Sequence, residues 1–173
     1  SDVGQHQMWC AQYYHFPAPR RWINSGGLGT MGFGLPSALG AQVACPGQTV
    51  VCLAGDGSLQ MNIQELATCV TEGVPVKVFL MNNHYLGMVR QWQELFWDRR
   101  YSGVDMGSVP DWVKLAEAYG ATGVRATDKG ELVDAMRTAL ETEGPVVLDV
   151  QVTKEENCYP MIPAGQAARD MVG

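Results

Sequence analysis

Four short apolar runs punctuate the chain, at Thr49 to Ala54, Val76 to Met81, Gly123 to Ala126 and Val146 to Val152, and between them apolar positions recur at helical spacing. Each run is bounded by glycine, proline or polar residues, which predicts strands. Val76 to Met81 is nearly all apolar, the pattern of a strand covered on both faces, and is expected at the centre of a parallel sheet. A helix of small residues is predicted from Leu35 to Ala44, stopped by Pro46-Gly47. Another runs from Ile63 to Glu72, with Asn62 and Glu65 as its capping box and Gly73 and Pro75 at its end. Further helices follow at Leu86 to Phe96, through Trp112, Leu115, Ala116 and Tyr119, and through Leu132, Val133, Met136 and Leu140, with an irregular stretch from Asp98 to Ser108. Residues 1 to 25 are aromatic-rich and poorly periodic; Pro17 and Pro19 break regular structure, and Arg21 to Asn24 fits at most a short strand.

Strands alternating with helices predict an α/β fold: a doubly wound, mostly parallel sheet with helices on both faces and ligands at the carboxyl edge of the strands. The 173 residues are read as a single domain, large enough for a real core, with no internal repeat. Hydrophobic residues at 46% and charged residues at 17% fit a globular chain. A net charge of −6 with scattered basic residues argues against nucleic acid as a partner. No apolar run is long enough to span a membrane, and with no initiating Met the chain reads as a piece of a longer protein. Cys10, Cys45, Cys52, Cys69 and Cys158 show no metal-ligand spacing, and at least two fall in core elements; reduced thiols and a cytoplasmic setting are expected.

The chemistry concentrates at two strand ends. Gly55-Asp56-Gly57 closes the first strand, Asn82-Asn83 closes the next, and the 24 residues 58 to 81 between them make one helix and one return strand. The two ends therefore come back to the same sheet edge. A carboxylate and an amide oxygen there suit Mg²⁺, a hard cation that takes oxygen ligands and shares phosphate oxygens. For a lone Gly-Asp-Gly the plainer reading of Asp56 is a helix cap or turn aspartate. Gly57 and Ser58, entering a helix, would offer N–H groups to phosphate.

Gly27-Leu28-Gly29-Thr30-Met31-Gly32 matches the dinucleotide-binding glycine pattern. That pattern needs a strong strand before it and an acid about 20 residues after it; the preceding stretch is short and Cys52 stands where the acid would be. A nicotinamide site is thus poorly supported.

Gly55-Asp56-Gly57-Ser58 through Asn82-Asn83 resembles the thiamine diphosphate fingerprint. With Val3-Gly4-Gln5-His6-Gln7-Met8-Trp9, Ser25-Gly26-Gly27-Leu28-Gly29-Thr30-Met31-Gly32 and Asn82-Asn83-His84-Tyr85-Leu86-Gly87-Met88-Val89-Arg90-Gln91-Trp92 in order, nearly the whole chain resembles the C-terminal domain of the anabolic acetohydroxyacid (acetolactate) synthases. The resemblance implies Mg²⁺ held by Asp56, Asn83 and the backbone carbonyl of Tyr85, and diphosphate contacts from Gln5, His6 and Gly87 as well as Gly57 and Ser58. It implies that the Gly29 carbonyl and the Met31 side chain bend the cofactor, and that Met88 and Trp92 line a substrate channel, Trp92 favouring 2-ketobutyrate over pyruvate as second substrate.

Plainer readings stand beside these. His6 would otherwise be an exposed terminal histidine, Met31 ordinary core, and Met88 and Trp92, four apart, an amphipathic stripe that Phe96 continues. Trp9, Tyr13, Tyr14 and Phe16 read either as a partner-facing surface or as core. No catalytic residue is expected in this chain, since the glutamate that activates the cofactor in the resembling enzymes lies in a separate N-terminal pyrimidine-binding domain. For the full-length enzymes the resemblance implies a non-catalytic FAD and a second subunit, and leaves room for a small regulatory subunit. Those of plants and algae reside in plastids. A non-catalytic α/β interaction module, another thiamine diphosphate carboligase or decarboxylase, and a nicotinamide enzyme remain the alternatives.

Overall fold

In the computed structural model, which describes residues 1–173, four parallel strands form one sheet: β1 (Val51–Gly55), β2 (Lys77–Asn82), β3 (Thr122–Ala126) and β4 (Val146–Gln151), in the spatial order β1-β2-β4-β3. The two central strands, β2 and β4, are buried along almost their whole length, as a doubly covered parallel strand must be. Eight helices complete the chain: α1 (Gln5–Tyr13), α2 (Gly34–Ala44), α3 (Asp56–Gln60), α4 (Glu65–Thr71), α5 (Gly87–Phe96), α6 (Trp112–Ala118), α7 (Lys129–Glu141) and a short 3₁₀ turn, α8 (Ala168–Asp170).

Side chains alternate across the sheet, so each strand feeds two cores. On one face Cys52, Val78, Leu80 and Val147 pack with Leu35 and Ala38 of α2, Leu66 and Cys69 of α4, and Trp112 and Ala116 of α6. On the other, Phe79, Val146, Leu148 and Val150 pack against Ala135 and Ala139 of α7. Helices therefore cover both faces, as the alternation of strands and helices predicts. Cys52, Cys69 and Cys158 are buried, and all five cysteines are free thiols. No helix is long and apolar enough to cross a membrane.

Three local expectations need correction. Residues 5 to 13 form α1, whose buried positions are the polar Gln5 and His6, so apolar periodicity was silent there. Arg21 to Asn24 forms no strand; the Ile23 carbonyl instead accepts from the chain's amino terminus at 2.8 Å. The Asn62–Glu65 capping box does not form. Residues 61–64 are turns and α4 starts only at Glu65; the Asn62 Nδ2 donates to the Gly32 carbonyl at 2.8 Å and its Oδ1 accepts from the Gln64 side chain at 3.0 Å, so it caps no backbone N–H of the helix.

Candidate functional site

Parallel pairing sets Gly55 opposite Met81, so the residues that follow them, Asp56 after β1 and Asn82-Asn83 at the end of β2, emerge side by side at the carboxyl edge. A cavity of about 360 Å³ opens there, and its wall brings together Gln5, His6, Gly29, Met31, Asp56, Gly57, Ser58, Asn83, Tyr85, Gly87, Met88 and Trp92, every site residue the sequence singled out.

Asp56 is 3% exposed. Its Oδ1 accepts the Gly57 N–H at 2.8 Å, while Oδ2 is buried with no partner. Burial pushes its carboxyl up to about 6, against the pull of the Gly57 and His84 N–H groups. A buried carboxylate oxygen left without a donor is costly unless a cation meets it. The Asn83 Oδ1 accepts the Tyr85 N–H at 3.1 Å, folding the loop so that both residues face the cavity. Tyr85 bridges to Asp105, but the bonds of that bridge run from Leu86 N–H to Val104 and from Met106 N–H to the His84 carbonyl, leaving the Tyr85 carbonyl outside the pairing. No three His, Cys, Asp or Glu side chains cluster anywhere in the chain, so a cation here would rest on one carboxylate with amide and carbonyl oxygens. That donor set is the oxygen-only kind Mg²⁺ takes.

The cradle is glycine-lined because side chains would collide. A Cβ on Gly57 would lie 2.3 Å from Leu86 Cδ2, and one on Gly87 would lie 2.2 Å from Gln5 Oε1. Gly29, at φ +66, takes a left-handed turn that other residues rarely adopt. The loop is pinned from outside by Asp2, which is fully buried and receives the N–H groups of Gly32 at 2.9 Å and Gly34 at 3.0 Å. Thr30 and Met31 lie between that anchor and Gly29, which sets the half-buried Met31 at the cavity wall and not in the core.

His6 is buried, not an exposed terminal histidine, and burial drives its imidazole down to about 3, so it is neutral at ordinary pH. Its Nε2 has no partner. A neutral ring with that nitrogen protonated would donate to an anionic oxygen in the cavity. Gln5 behaves differently. Its amide hydrogens go to Gln91 Oε1 at 2.7 Å and to the Glu156 carbonyl at 2.8 Å, and Gln91 is fixed in turn by the N–H and carbonyl of Cys158. The atom Gln5 keeps for the cavity is therefore the acceptor Oε1, which suits a proton-bearing group and cannot donate to phosphate. The Ser58 hydroxyl is likewise committed, bonding both the N–H and carbonyl of Gly55, so any Ser58 contact falls to its backbone N–H in the first turn of α3.

Met88 and Trp92 share the cavity-facing side of α5, and Trp92 is 41% exposed, open to whatever enters. Tyr13, Tyr14 and Phe16 are exposed, whereas Trp9 is half-buried against the cavity. Leu86, which wedges against Gly57, and Asp2, which anchors the glycine loop, escaped the sequence reading. Only an N-terminal acid before a glycine-rich turn hinted at the second.

The glycine loop follows coil, not a strand, which removes the context a dinucleotide site requires. Residues 2–150 match the family model of the thiamine pyrophosphate enzyme C-terminal TPP-binding domain. The chain is 55% identical over 174 residues, 100% of its own length and 28% of the relative's, to an acetolactate synthase large subunit of Parasynechococcus marenigrum (strain WH8102). It is 53% identical over 174 residues, 99% of itself and 30% of the relative, to acetolactate synthase isozyme 3 large subunit of Escherichia coli (strain K12). Against an acetolactate synthase large subunit of Haemophilus influenzae it is 50% identical over 173 residues, again 99% of itself and 30% of the relative. The chain thus spans less than a third of the length of these relatives. From the cavity geometry and this match together, the chain belongs to the thiamine pyrophosphate enzyme family, as a C-terminal TPP-binding domain.

Proposed function

We propose that this chain is the diphosphate- and Mg²⁺-holding part of an acetolactate synthase large subunit, which decarboxylates pyruvate and joins the remaining two-carbon unit to pyruvate or 2-ketobutyrate. The observation that carries the reading is the buried, unpartnered Asp56 Oδ2 beside Asn83 and the unpaired Tyr85 carbonyl. Bound thiamine diphosphate supplies a nucleophilic carbon and accepts the electron pair released on decarboxylation.

The chain's own residues hold and shape. Asp56, Asn83 and the Tyr85 carbonyl would hold the Mg²⁺ that accompanies the diphosphate. His6 and the N–H groups near Ser58 and Gly87 meet the phosphate oxygens, and Gln5 accepts from a proton-bearing group at the same wall. Gly29 would offer its carbonyl where only bare backbone approaches, and Met31 would support the cofactor from the cavity wall, so that the chain contributes positioning. Met88 and Trp92 face the incoming ketoacid. One methylene supports only about 1–3 kcal/mol of discrimination, so Trp92 confers modest selectivity.

The activating glutamate and an FAD site belong to the remainder of a longer, cytoplasmic or plastid protein that pairs with a second copy of itself; the words "large subunit" in the relatives' names favour a smaller regulatory partner. Alone, the chain binds thiamine diphosphate with Mg²⁺ weakly and forms no acetolactate. Calorimetry with thiamine diphosphate and Mg²⁺, set against NAD and against Asp56→Ala, tests this. Heat that is metal-dependent and absent in the variant is expected; binding of NAD alone, or acetolactate made by the chain by itself, contradicts it.

A further inference from the structure

The carboxyl end of the sheet carries a second group of polar side chains that the proposed chemistry does not use. Asp149, on β4, is 1% exposed near the carboxyl edge of the sheet. Its Oδ1 accepts from Asn82 Nδ2 at 2.9 Å and Gln151 Nε2 at 2.8 Å, and its Oδ2 from Arg125 Nε at 2.9 Å. Strand register explains the convergence, because Arg125 stands directly across from Asp149 and Asn82 directly across from Gln151. Both amides that reach Asp149 also reach one further residue, His84. The Asn82 Oδ1 accepts the His84 N–H at 3.3 Å, and the Gln151 Oε1 lies 3.1 Å from His84 Nε2.

His84 has φ +59, the left-handed conformation that a residue with a side chain seldom adopts unaided. It sits between Asn83 and Tyr85. Were it to relax to negative φ, the chain direction would change between those two residues, and the Asn83 amide and Tyr85 carbonyl would no longer face one point. Asp149 fixes the orientation of both amides, since an acceptor-only carboxylate compels each to present its NH₂ inward and its oxygen toward His84.

We propose that Asp149 is a positioning residue for the cation loop, holding His84 left-handed through Asn82 and Gln151 so that Asn83 and Tyr85 converge on the ion. The inference rests on the Mg²⁺ reading for its purpose, but the clamp itself is a property of the metal-free chain.

The test uses two variants, Asp149→Leu, which removes the acceptor, and the milder Gln151→Ala at a half-buried site. Crystal structures without metal are expected to show His84 leaving the left-handed region in both; His84 remaining at positive φ in either overturns the clamp. Mn²⁺ binding in the presence of thiamine diphosphate, followed by electron paramagnetic resonance, is expected to weaken about tenfold or more in each, the loss typical when a ligand's supporting bond is removed. Adding His84→Gly, which adopts positive φ without the steric cost a side chain imposes, is expected to restore part of that affinity. Affinity unchanged in the single variants, or loss not relieved by His84→Gly, overturns the positioning role. Failure of the unaltered chain to bind Mn²⁺ with the cofactor would overturn the Mg²⁺ reading and the purpose assigned to the clamp, while the metal-free structures still decide the clamp.

Discussion

The Asp2 carboxylate reaches across 30 residues of sequence to accept the Gly32 N–H at 2.9 Å, tying the start of the chain to the loop that carries Gly29 and Met31. The same side chain holds Gly34 at 3.0 Å, and the Asp2 N–H donates to the Leu53 carbonyl of β1 at 2.8 Å. One buried acid thus sets the glycine loop against β1, the strand that leads into Asp56. Replacing it by Ala leaves two buried N–H groups without acceptors, an expected loss of about 1–3 kcal/mol for each group left unsatisfied. Urea denaturation of Asp2→Ala against the unaltered chain checks this, with weaker thiamine diphosphate binding expected alongside the lower midpoint.

Gly57→Ala is a sharper test of the cradle. The new methyl would sit 2.3 Å from Leu86 Cδ2, so Leu86 must move, and with it the loop that carries Tyr85. The affinity for thiamine diphosphate with Mg²⁺, read by calorimetry, is expected to fall at least about tenfold, the scale of 1.4 kcal/mol in an overpacked site. Adding Leu86→Ala makes room and is expected to recover part of that affinity. Full binding by Gly57→Ala would show that the contact is slack.

Acid stability separates two buried groups with opposite signs. His6, lowered from 6.5 to about 3, is neutral when folded and charged when unfolded between those values, so its contribution is complete above pH 6.5 and is lost as pH falls toward 3. Asp56, raised from 3.8 to about 6, stabilises the metal-free fold below pH 3.8 and loses that contribution as pH rises through 6. His6→Phe is therefore expected to flatten the acid limb of a melting-temperature profile between pH 6.5 and 3. Mg²⁺ with thiamine diphosphate is expected to raise the melting temperature more at pH 7.5 than at pH 5, because only above about pH 6 is Asp56 largely ionised.

Gln91 is fully buried and bonds both the N–H and the carbonyl of Cys158, besides receiving Gln5. Arg90, its neighbour, holds the same segment through the Glu156 carbonyl and Asn157 and pairs with Glu94. Gln91→Leu keeps the volume and removes the bonds. Limited proteolysis is expected to cut near residues 156 to 161 faster in this variant, and Gln5, freed from its partner, to lose its fixed orientation at the cavity. Cleavage at an unchanged rate would place the anchoring elsewhere.

The parts of this molecule that were legible in sequence are those built on repeating physics. Val76 to Met81 announced a central strand because both its faces are covered, and Gly55-Asp56-Gly57 with Asn82-Asn83 announced a shared edge because parallel strands must return to it. Helix α1 was hidden because it buries Gln5 and His6, whose neighbours are distant in sequence. The capping role expected of Asn62 yielded to a bond with Gly32, 30 residues away, which no local pattern encodes. Asp2, Leu86 and Asp149 stayed silent for the same reason: each acts through a partner that only the fold brings near. Gln5 shows a subtler limit, since its place at the cavity was readable but the direction of its amide depends on Gln91 and Cys158.

The most direct measurement is a crystal structure of the chain grown with thiamine diphosphate and Mg²⁺. An ion bound by Asp56 Oδ2, the Asn83 side chain and the Tyr85 carbonyl, with the diphosphate beside His6 and Gly57, is the expected result. A cofactor bound elsewhere, or an ion that leaves Asp56 Oδ2 unpartnered, would contradict it.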